Sequence, residues 1–152
     1  MSFKAETYTN DAEGVSFQYP KGWLVISPVD NPKNQVFQLK SEDSTTANGM
    51  SFDVLADGDF AAVCKKAIEE SPTYIKYKAV ANQDSSSTAK LADGKTDAYV
   101  AEFSSVIAIY DVYLYCFGIK KNGKVIAMIG STVGGKKDKD LIKEIAQTLA
   151  VK

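Results

Sequence analysis

The chain has 152 residues, of which 45% are hydrophobic and 24% charged, which is typical of a globular protein and excludes a disordered or fibrous chain. Its 18 basic and 19 acidic residues give a net charge of -1, and the lysines are scattered, so we expect no nucleic-acid partner. No stretch approaches the ~18 apolar residues of a transmembrane helix. The length predicts a single domain over residues 1–152.

The start of the chain and its two cysteines bear on the compartment. Residues 1–4 lack the apolar core of a signal peptide, so we expect a cytoplasmic protein unless such a signal has been removed, in which case it is extracytoplasmic. Cys64 and Cys116 form no Cys-x-x-Cys pair. Both fall in apolar segments and are predicted to pack in the core as free thiols. A disulfide is the alternative, and it requires Cα atoms within ~7 Å.

The first strand pattern lies near the N-terminus. Val15, Phe17 and Tyr19 alternate with polar residues, as in a half-buried strand. Pro20-Lys21-Gly22 has the composition of a turn, and the apolar residues 23–27 follow it. We therefore predict an N-terminal β-hairpin.

Two further strands follow a loop that contains Pro28 and Pro32. Residues 36–40 and 50–55 have strand patterns, and the polar stretch 41–49 connects them. We expect this connection to be a mobile loop that joins the two strands.

A helix is predicted after Asp57, where the apolar residues recur at helical spacing. Asp57 or Asp59 is suited to cap its N-terminus, and the helix is expected to end before Pro72. Its apolar stripe consists of Phe60, Val63, Cys64, Ala67 and Ile68.

The middle of the chain again favours strands. Residues 74–81 and 86–91 are predicted to form a strand pair, whose second member is too polar to lie at the centre of a sheet. Asp93-Gly94 then marks a tight turn into a strand over residues 99–107.

The clearest hairpin joins residues 110–120 to residues 124–132 through Asn122-Gly123, which readily takes the positive φ angles of a type I′ turn. Both faces of its first strand are apolar, so we expect this hairpin at the centre of the sheet with both faces covered. One face carries Tyr113, Tyr115, Phe117 and Ile119, and the other carries Val112, Leu114 and Cys116.

The last helix, predicted to be capped near Asp138, presents one apolar stripe that is suited to cover one face of the sheet. This stripe consists of Leu141, Ile142, Ile145, Ala146 and Leu149. The first helix and the N-terminal segments are expected to cover the other face. The predicted fold class is α+β, a single-domain α/β/α sandwich with a large, mostly antiparallel central sheet and two main helices.

The segment Tyr8–Trp23 (YTNDAEGVSFQYPKGW) resembles the opening of PsbP-like domains, through Tyr8, Gly14, Phe17, Tyr19, Pro20, Gly22 and Trp23. This fold family includes an extrinsic photosystem subunit, a nuclear Ran-binding protein, and DcrB-like bacterial exported proteins and lipoproteins. The order of predicted elements fits as well. The resemblance implies a noncatalytic binding or accessory domain, here of a bacterial envelope protein.

The chain has no histidine, which excludes Ser-His-Asp, Cys-His and histidine-based zinc sites. Paired carboxylates remain as an alternative, because Asp53, Glu102 and Asp111 lie inside predicted strands. A hydrolase would use Asp111 as acid or base with Glu102 or Asp53 as its partner. However, Asp111 fits the exposed start of a strand, and the other two alternate with apolar residues as on a solvated face. We expect no catalytic residues, cofactor or metal.

Tyrosines of the central strand are the candidate binding residues, because tyrosine has an apolar ring and a polar tip. Tyr110, Tyr113 and Tyr115, with Asp111, are predicted to contact an unknown protein or small molecule, whereas Trp23 and Phe117 are expected to pack in the core. A further alternative is a protein-docking module that uses a sheet edge or the loop 41–49. The protein is expected to be a monomer or a dimer.

Overall fold

The computed structural model describes residues 1–26, 35–43 and 45–152, with the backbone alone at 35–38. The loop predicted around Pro28 and Pro32 lies outside these residues. The strands are β1 Ala5–Asn10, β2 Val15–Pro20, β3 Leu24–Ile26, β4 Gln35–Lys40, β5 Gly49–Ala56, β6 Asn82–Lys90, β7 Asp97–Ile107, β8 Tyr110–Lys121, β9 Lys124–Thr132 and β10 Ala150–Val151. The helices are α1 Phe60–Glu69, α2 Pro72–Tyr77 and α3 Lys136–Ala146.

The strands form two antiparallel sheets. The large sheet has seven strands in the order β3-β4-β5-β9-β8-β7-β6, and the small sheet has the order β1-β2-β10. Helix α1 packs on one face of the large sheet, whereas α3 and the small sheet pack on the other. The predicted α+β architecture, with a large antiparallel sheet and two main helices, is confirmed.

The β8–β9 hairpin lies at the centre of the large sheet, as predicted. Asn122 and Gly123 have φ angles of 53° and 72°, the left-handed conformation that a type I′ turn requires. Both faces of β8 are buried: Phe117 faces the core formed with α3, and Cys116 faces the core formed with α1. Strand β9, which is buried from Val125 to Gly130, completes this centre.

Helix α1 begins and ends close to the predicted positions. The Asp59 side chain accepts a hydrogen bond from the backbone N–H of Ala62 at 3.0 Å, which satisfies one of the free N–H groups of the first turn. Phe60, Cys64 and Ile68 on its inner face are buried against the sheet. Cys116 is buried as well, and both thiols are free, so the predicted core positions of the cysteines are confirmed.

The strand predicted over residues 74–81 is wrong, because α2 occupies its first half. Pro72 stands in the first turn, where its fixed φ suits a helix. Lys78, at a φ of 51°, takes the left-handed conformation that ends it. Tyr74 is buried against the sheet. The tyrosines and isoleucine of this segment favour a strand by propensity. Pro72 at its start and the left-handed Lys78 at its end nevertheless determine a short helix.

The predicted N-terminal hairpin is also wrong. Strand β2 pairs with β1 and with β10, as in the register Tyr8↔Phe17, whereas β3 pairs with β4 in the large sheet. The turn at Pro20-Lys21-Gly22 exists, but it carries the chain from one sheet to the other. Val15 and Phe17 share a core with α3. The N-terminal segments therefore cover the α3 face, and not the α1 face as predicted.

Helix α3 begins two residues before the predicted cap. Gly135 is its N-cap, and Asp138 lies in its first turn. The Asp138 side chain accepts a hydrogen bond from Asn48 Nδ2 at 2.9 Å, and Asn48 Oδ1 in turn accepts one from Thr132. These bonds attach the described part of the loop 41–49 to the end of β9.

Candidate functional site

The four predicted site residues lie on β8 but do not form one site. Asp111, Tyr113 and Tyr115 alternate along the strand and face the α3 side, whereas Tyr110 faces the α1 side. Tyr110 and Asp111 are exposed, Tyr113 is half-buried, and Tyr115 is buried. The structure therefore separates a tyrosine pair under α3 from an exposed tyrosine at the end of the hairpin.

The tyrosine pair is engaged by neighbouring polar side chains. The Tyr113 hydroxyl donates a hydrogen bond to Glu102 Oε2 on the neighbouring strand, and Ser85 donates one to Glu102 Oε1 at 3.1 Å. Lys143 Nζ lies 3.8 Å from Glu102 Oε2. The hydrogen bond from Tyr113 lowers the pKa of Glu102, and burial together with this carboxylate raises the pKa of Tyr113.

Lysines of α3 cover the rings of the same tyrosines. The Nζ atoms of Lys139 and Lys143 lie 5.3 and 5.7 Å from the centroid of the Tyr113 ring, within the range of a cation–π contact. The Tyr115 hydroxyl accepts a hydrogen bond from Gln147 Nε2 at 2.9 Å. Since both hydroxyls and much of the ring surface are already engaged, Tyr113 and Tyr115 join α3 to the sheet.

Tyr110 is one of five large apolar side chains that are exposed on α2, on the segment after α2 and around the β7–β8 turn. We call this group the apolar end; it consists of Ile75, Tyr77, Val80, Ile109 and Tyr110. Their exposed fractions are 63%, 48%, 54%, 88% and 57% respectively. Large apolar side chains scattered singly on a surface are ordinary, but a group of them at one place marks a contact surface.

Two connections place Val80 near the β7–β8 turn. At the β7–β8 turn Ile107 pairs with Tyr110, which places Ile109 at the tip. On the same side of the sheet, Ser105 Oγ donates a hydrogen bond to the backbone oxygen of Val80 at 2.8 Å, so the segment after α2 lies against the end of β7. Buried Tyr74 fixes α2 on the sheet and leaves the neighbouring apolar residues of this helix outside.

The residues at the tip of the β7–β8 hairpin are not those that a tight turn favours. Ala108 has a φ of 55°, a conformation in which Gly or Asn is favoured over residues with an apolar side chain. Ile109 follows it and is almost fully exposed. By contrast, the turn of the β8–β9 hairpin has Asn122-Gly123, which suits a tight turn. The structure shows no way in which the apolar residues at the β7–β8 tip help that turn to form.

The three strand carboxylates do not converge. Asp53 shares the α1 side of the sheet with Leu55, and Glu102 lies on the α3 side, so the sheet separates them. Asp111 pairs with Val106, four residues along β7 from Glu102, which corresponds to about 13 Å. A glycosidase pair requires about 5–9.5 Å. The paired-carboxylate arrangement predicted for a hydrolase is therefore not formed.

Asp53 is buried, and the prediction of a solvated position for it is wrong. Only 4% of the residue is exposed, and burial raises its pKa to about 7 although a hydrogen bond from Ser51 opposes this shift. Its Oδ1 atom has no hydrogen-bond partner in the part of the chain that the structure describes. Alternation along the strand does not reveal that another layer covers the side to which Asp53 points.

One open groove of about 600 Å³ lies between the N-terminal segment and α3. Phe3, Pro20 and Leu141 contribute apolar surface to its lining, and Lys136 and Glu144 contribute charged groups. The predicted tyrosines do not line it.

Within residues 1–26, 35–43 and 45–152, no group of three or more Cys, Asp or Glu side chains is placed to hold a metal ion. No helix in the same residues is long and apolar enough to cross a membrane.

Solved structures of low sequence identity share this fold. Cyanobacterial PsbP (CyanoP) from Synechocystis sp. PCC 6803 is 15% identical, with a TM-score of 0.74 over 97% of this chain and 92% of that one. The Saccharomyces cerevisiae Ran-binding protein Mog1p is 12% identical, with a TM-score of 0.61 over 99% and 96%. PA94 from Pseudomonas aeruginosa, a protein of unknown function, is 14% identical, with a TM-score of 0.52 over 97% of each chain.

The chain therefore has the PsbP-like fold that the segment Tyr8–Trp23 suggested. No family model matches the chain, and neither does any curated protein. At these identities the likeness establishes the fold and leaves function to be argued from the surface.

Proposed function

We propose that this chain is a noncatalytic protein-binding domain and that the apolar end contacts its partner. The observation that carries the proposal is the exposure of Ile75, Tyr77, Val80, Ile109 and Tyr110, each by 48% or more, on two segments that the Ser105–Val80 hydrogen bond holds together. The occupant is an apolar patch on another protein, because these side chains offer ring and aliphatic surface with few polar atoms.

The composition of the apolar end suits such an interface. Tyrosine is enriched in the centres of protein interfaces, where its ring supplies contact area and its hydroxyl a hydrogen bond. Charged residues adjoin these apolar residues along the chain: Lys76 and Lys78 lie beside Tyr77, and Asp111 follows Tyr110; all three are exposed. A polar rim around an apolar centre is the usual arrangement of a non-obligate interface.

The tyrosine pair under α3 supports a small-molecule site less well. The hydroxyls of Tyr113 and Tyr115 are hydrogen-bonded within the protein, and the groove near α3 is lined by other residues. A ligand at the tyrosine pair would have to displace Lys143 from their rings. Of the predicted site residues, we therefore assign the binding role to Tyr110, with Asp111 at the edge of the apolar end.

The comparisons support a protein partner as the class of ligand. Mog1p, which shares the fold, is described as Ran-binding. The location in a bacterial envelope, and the likeness to DcrB-like proteins, rest on the resemblance of Tyr8–Trp23 and stay predictions.

The test compares two valine variants with equal exposure. Val80 belongs to the apolar end and Val25 lies on edge strand β3, and both are 54% exposed. The wild-type protein and the variants Val80→Asp and Val25→Asp are immobilised and exposed to a lysate of the native host, and retained proteins are compared by quantitative mass spectrometry. We expect a protein that the wild type and Val25→Asp retain and that Val80→Asp retains at least about tenfold less. Equal retention by both variants, or no specific retention by the wild type, contradicts the proposal.

A further inference from the structure

Strand β6 is the last strand of the large sheet, and its outer edge is open. In the described part of the chain it pairs with β7 on one side and with no strand on the other. Apart from β7, no backbone group of the described residues hydrogen-bonds to the backbone of residues 82–90. Eight of its nine residues are exposed, and Ala89 is half-buried. Such an edge presents a row of unpaired N–H and C=O groups to which another strand can be added.

The middle of β6 lacks the features that usually protect an edge strand. A proline, a charged side chain or a bulge commonly prevents the pairing of an edge with another chain. The strand has no proline, and residues 85–89 are three serines, a threonine and an alanine. The one irregularity in its register lies between Gln83 and Ser85, at its beginning. From Ser85 to Lys90 the pairing with β7 is regular, which leaves an unbroken edge of about 17 Å.

The charges of β6 lie at its two ends and have opposite signs. Asp84 precedes the uncharged residues, Lys90 follows them, and Ser87 lies midway between the two. Two copies of β6 that pair antiparallel about Ser87 bring Asp84 of each copy to the level of Lys90 of the other. A parallel arrangement in the same register would bring like charges together. The charges therefore favour the antiparallel arrangement of two identical strands.

We propose that a second copy of this chain pairs with the β6 edge, so that two seven-stranded sheets join into one sheet across a twofold axis at Ser87. The occupant is a second copy because an uncharged segment with oppositely charged ends is complementary to itself in the antiparallel direction. A twofold interface requires this self-complementarity. The pairing uses none of the five residues of the apolar end, so it does not depend on the proposed function.

This dimer is expected to be weak and to depend on protein concentration. The edge of one strand offers a smaller contact area than a stable interface requires, and the charges at its ends are exposed. Lys90 also pairs with Asp97 within its own copy, which reduces its attraction for Asp84 of the other copy. The backbone hydrogen bonds therefore hold the two strands together, and the charges determine their direction.

Sedimentation equilibrium from micromolar to millimolar concentration tests the dimer. We expect the mean mass to rise from the 16.5 kDa of one chain toward twice that value. Ser87→Lys places two like charges at the axis and should weaken the dimer at least about tenfold. Thr7→Lys is the matched control, at an exposed position of β1 on the edge of the small sheet, and it should leave the dissociation constant unchanged.

Two variants of complementary charge test the direction of pairing. Asp84→Lys makes both ends of β6 basic, and Lys90→Asp makes both ends acidic. We expect each variant alone to dimerise at least about fivefold more weakly than the wild type, and an equimolar mixture to regain the affinity of the wild type. The mixture decides this even where Ser87→Lys folds poorly.

Three outcomes overturn the proposal. The first is a mass of 16.5 kDa at every concentration, which leaves the edge to a strand of a different protein. The second is a mixture that dimerises no more tightly than Asp84→Lys or Lys90→Asp alone. The third is a dimer that Ile109→Asp abolishes and Ser87→Lys does not, because that dimer forms through the apolar end.

Discussion

The Ser105 hydroxyl donates a hydrogen bond to the backbone oxygen of Val80 at 2.8 Å, although 25 residues separate them. Ser105 is buried and lies on the strand that leads to the hairpin tip. This bond holds the segment after α2 against the end of β7. It therefore links the two parts of the apolar end.

Removal of this hydroxyl tests that link. We expect Ser105→Ala to lower the free energy of unfolding by about 1 kcal/mol, because the Val80 carbonyl, in a part-buried setting, loses its donor. Ser104→Ala is the control, since the Ser104 hydroxyl bonds to exposed Asp84, at 3.2 Å, and it should cost less than about 0.5 kcal/mol. Urea denaturation measures both, and equal losses would show that the Val80 bond contributes little.

The buried carboxyl of Asp53 predicts an unusual dependence of stability on pH. Its pKa is about 7 in the folded protein against 3.8 ordinarily, so between these values the unfolded chain releases a proton that the folded protein retains. Stability should therefore fall as pH rises from about 4 to about 7, by a few kcal/mol in total.

Replacement of Asp53 by asparagine isolates this effect. We expect Asp53→Asn to be more stable than the wild type at about pH 8 and to lose most of the decline between pH 4 and 7, because the amide stays neutral. Asp111→Asn, at an exposed carboxylate, should leave the wild-type profile unchanged. Urea titrations at several pH values measure the three profiles. A wild-type stability that rises with pH over this interval would contradict the placement of Asp53.

The hydrogen bond between Tyr113 and Glu102 should appear as an energetic coupling. In a double-mutant cycle with Tyr113→Phe and Glu102→Gln, we expect a coupling of about 1 kcal/mol. This coupling should be largest near neutral pH, where Glu102 is ionised. It should decline in acid, because protonation of Glu102, whose pKa the bond lowers, weakens the hydrogen bond. A cycle with Tyr99→Phe, on the opposite face of β7, should show no coupling.

The packing of α1 on the central hairpin predicts a large effect at Gly118. A Cβ atom there would lie 2.2 Å from the backbone oxygen of Ile126 and 2.8 Å from the Phe60 ring. We expect Gly118→Ala to lower stability by about 2–3 kcal/mol, since backbone atoms cannot move aside cheaply. Gly135→Ala meets no atom within 4 Å and should cost less than about 1 kcal/mol. Thermal unfolding compares the two, and a near-neutral Gly118→Ala would exclude this close approach.

Local signals in the sequence were sufficient for the centre of the fold. Asn122-Gly123 predicts the turn between β8 and β9, and two apolar faces predict a central, covered hairpin. The apolar residues that recur at helical spacing after Asp59 likewise predict α1. Each of these elements is long, and its pattern is repeated within one segment of the chain.

Short elements and non-local contacts were not predictable in this way. Helix α2 has six residues, too few to establish a helical period, and β10 has two. Whether β2 pairs with β1 or with β3 depends on contacts between distant segments. The burial of Asp53 and the exposure of Ile109 depend on what covers each surface, and alternation along a strand does not determine this.

Site-specific cross-linking from the hairpin tip tests the proposed function most directly. A photoreactive benzophenone residue replaces Ile109 in one protein and Val25, on the far edge strand, in another, and both are irradiated with a lysate of the native host. We predict that the residue at 109 cross-links one protein strongly, that the residue at 25 does not, and that Val80→Asp in the same chain abolishes the product. Cross-linking of that protein from position 25 alone, or equally from both positions, would contradict binding through the apolar end.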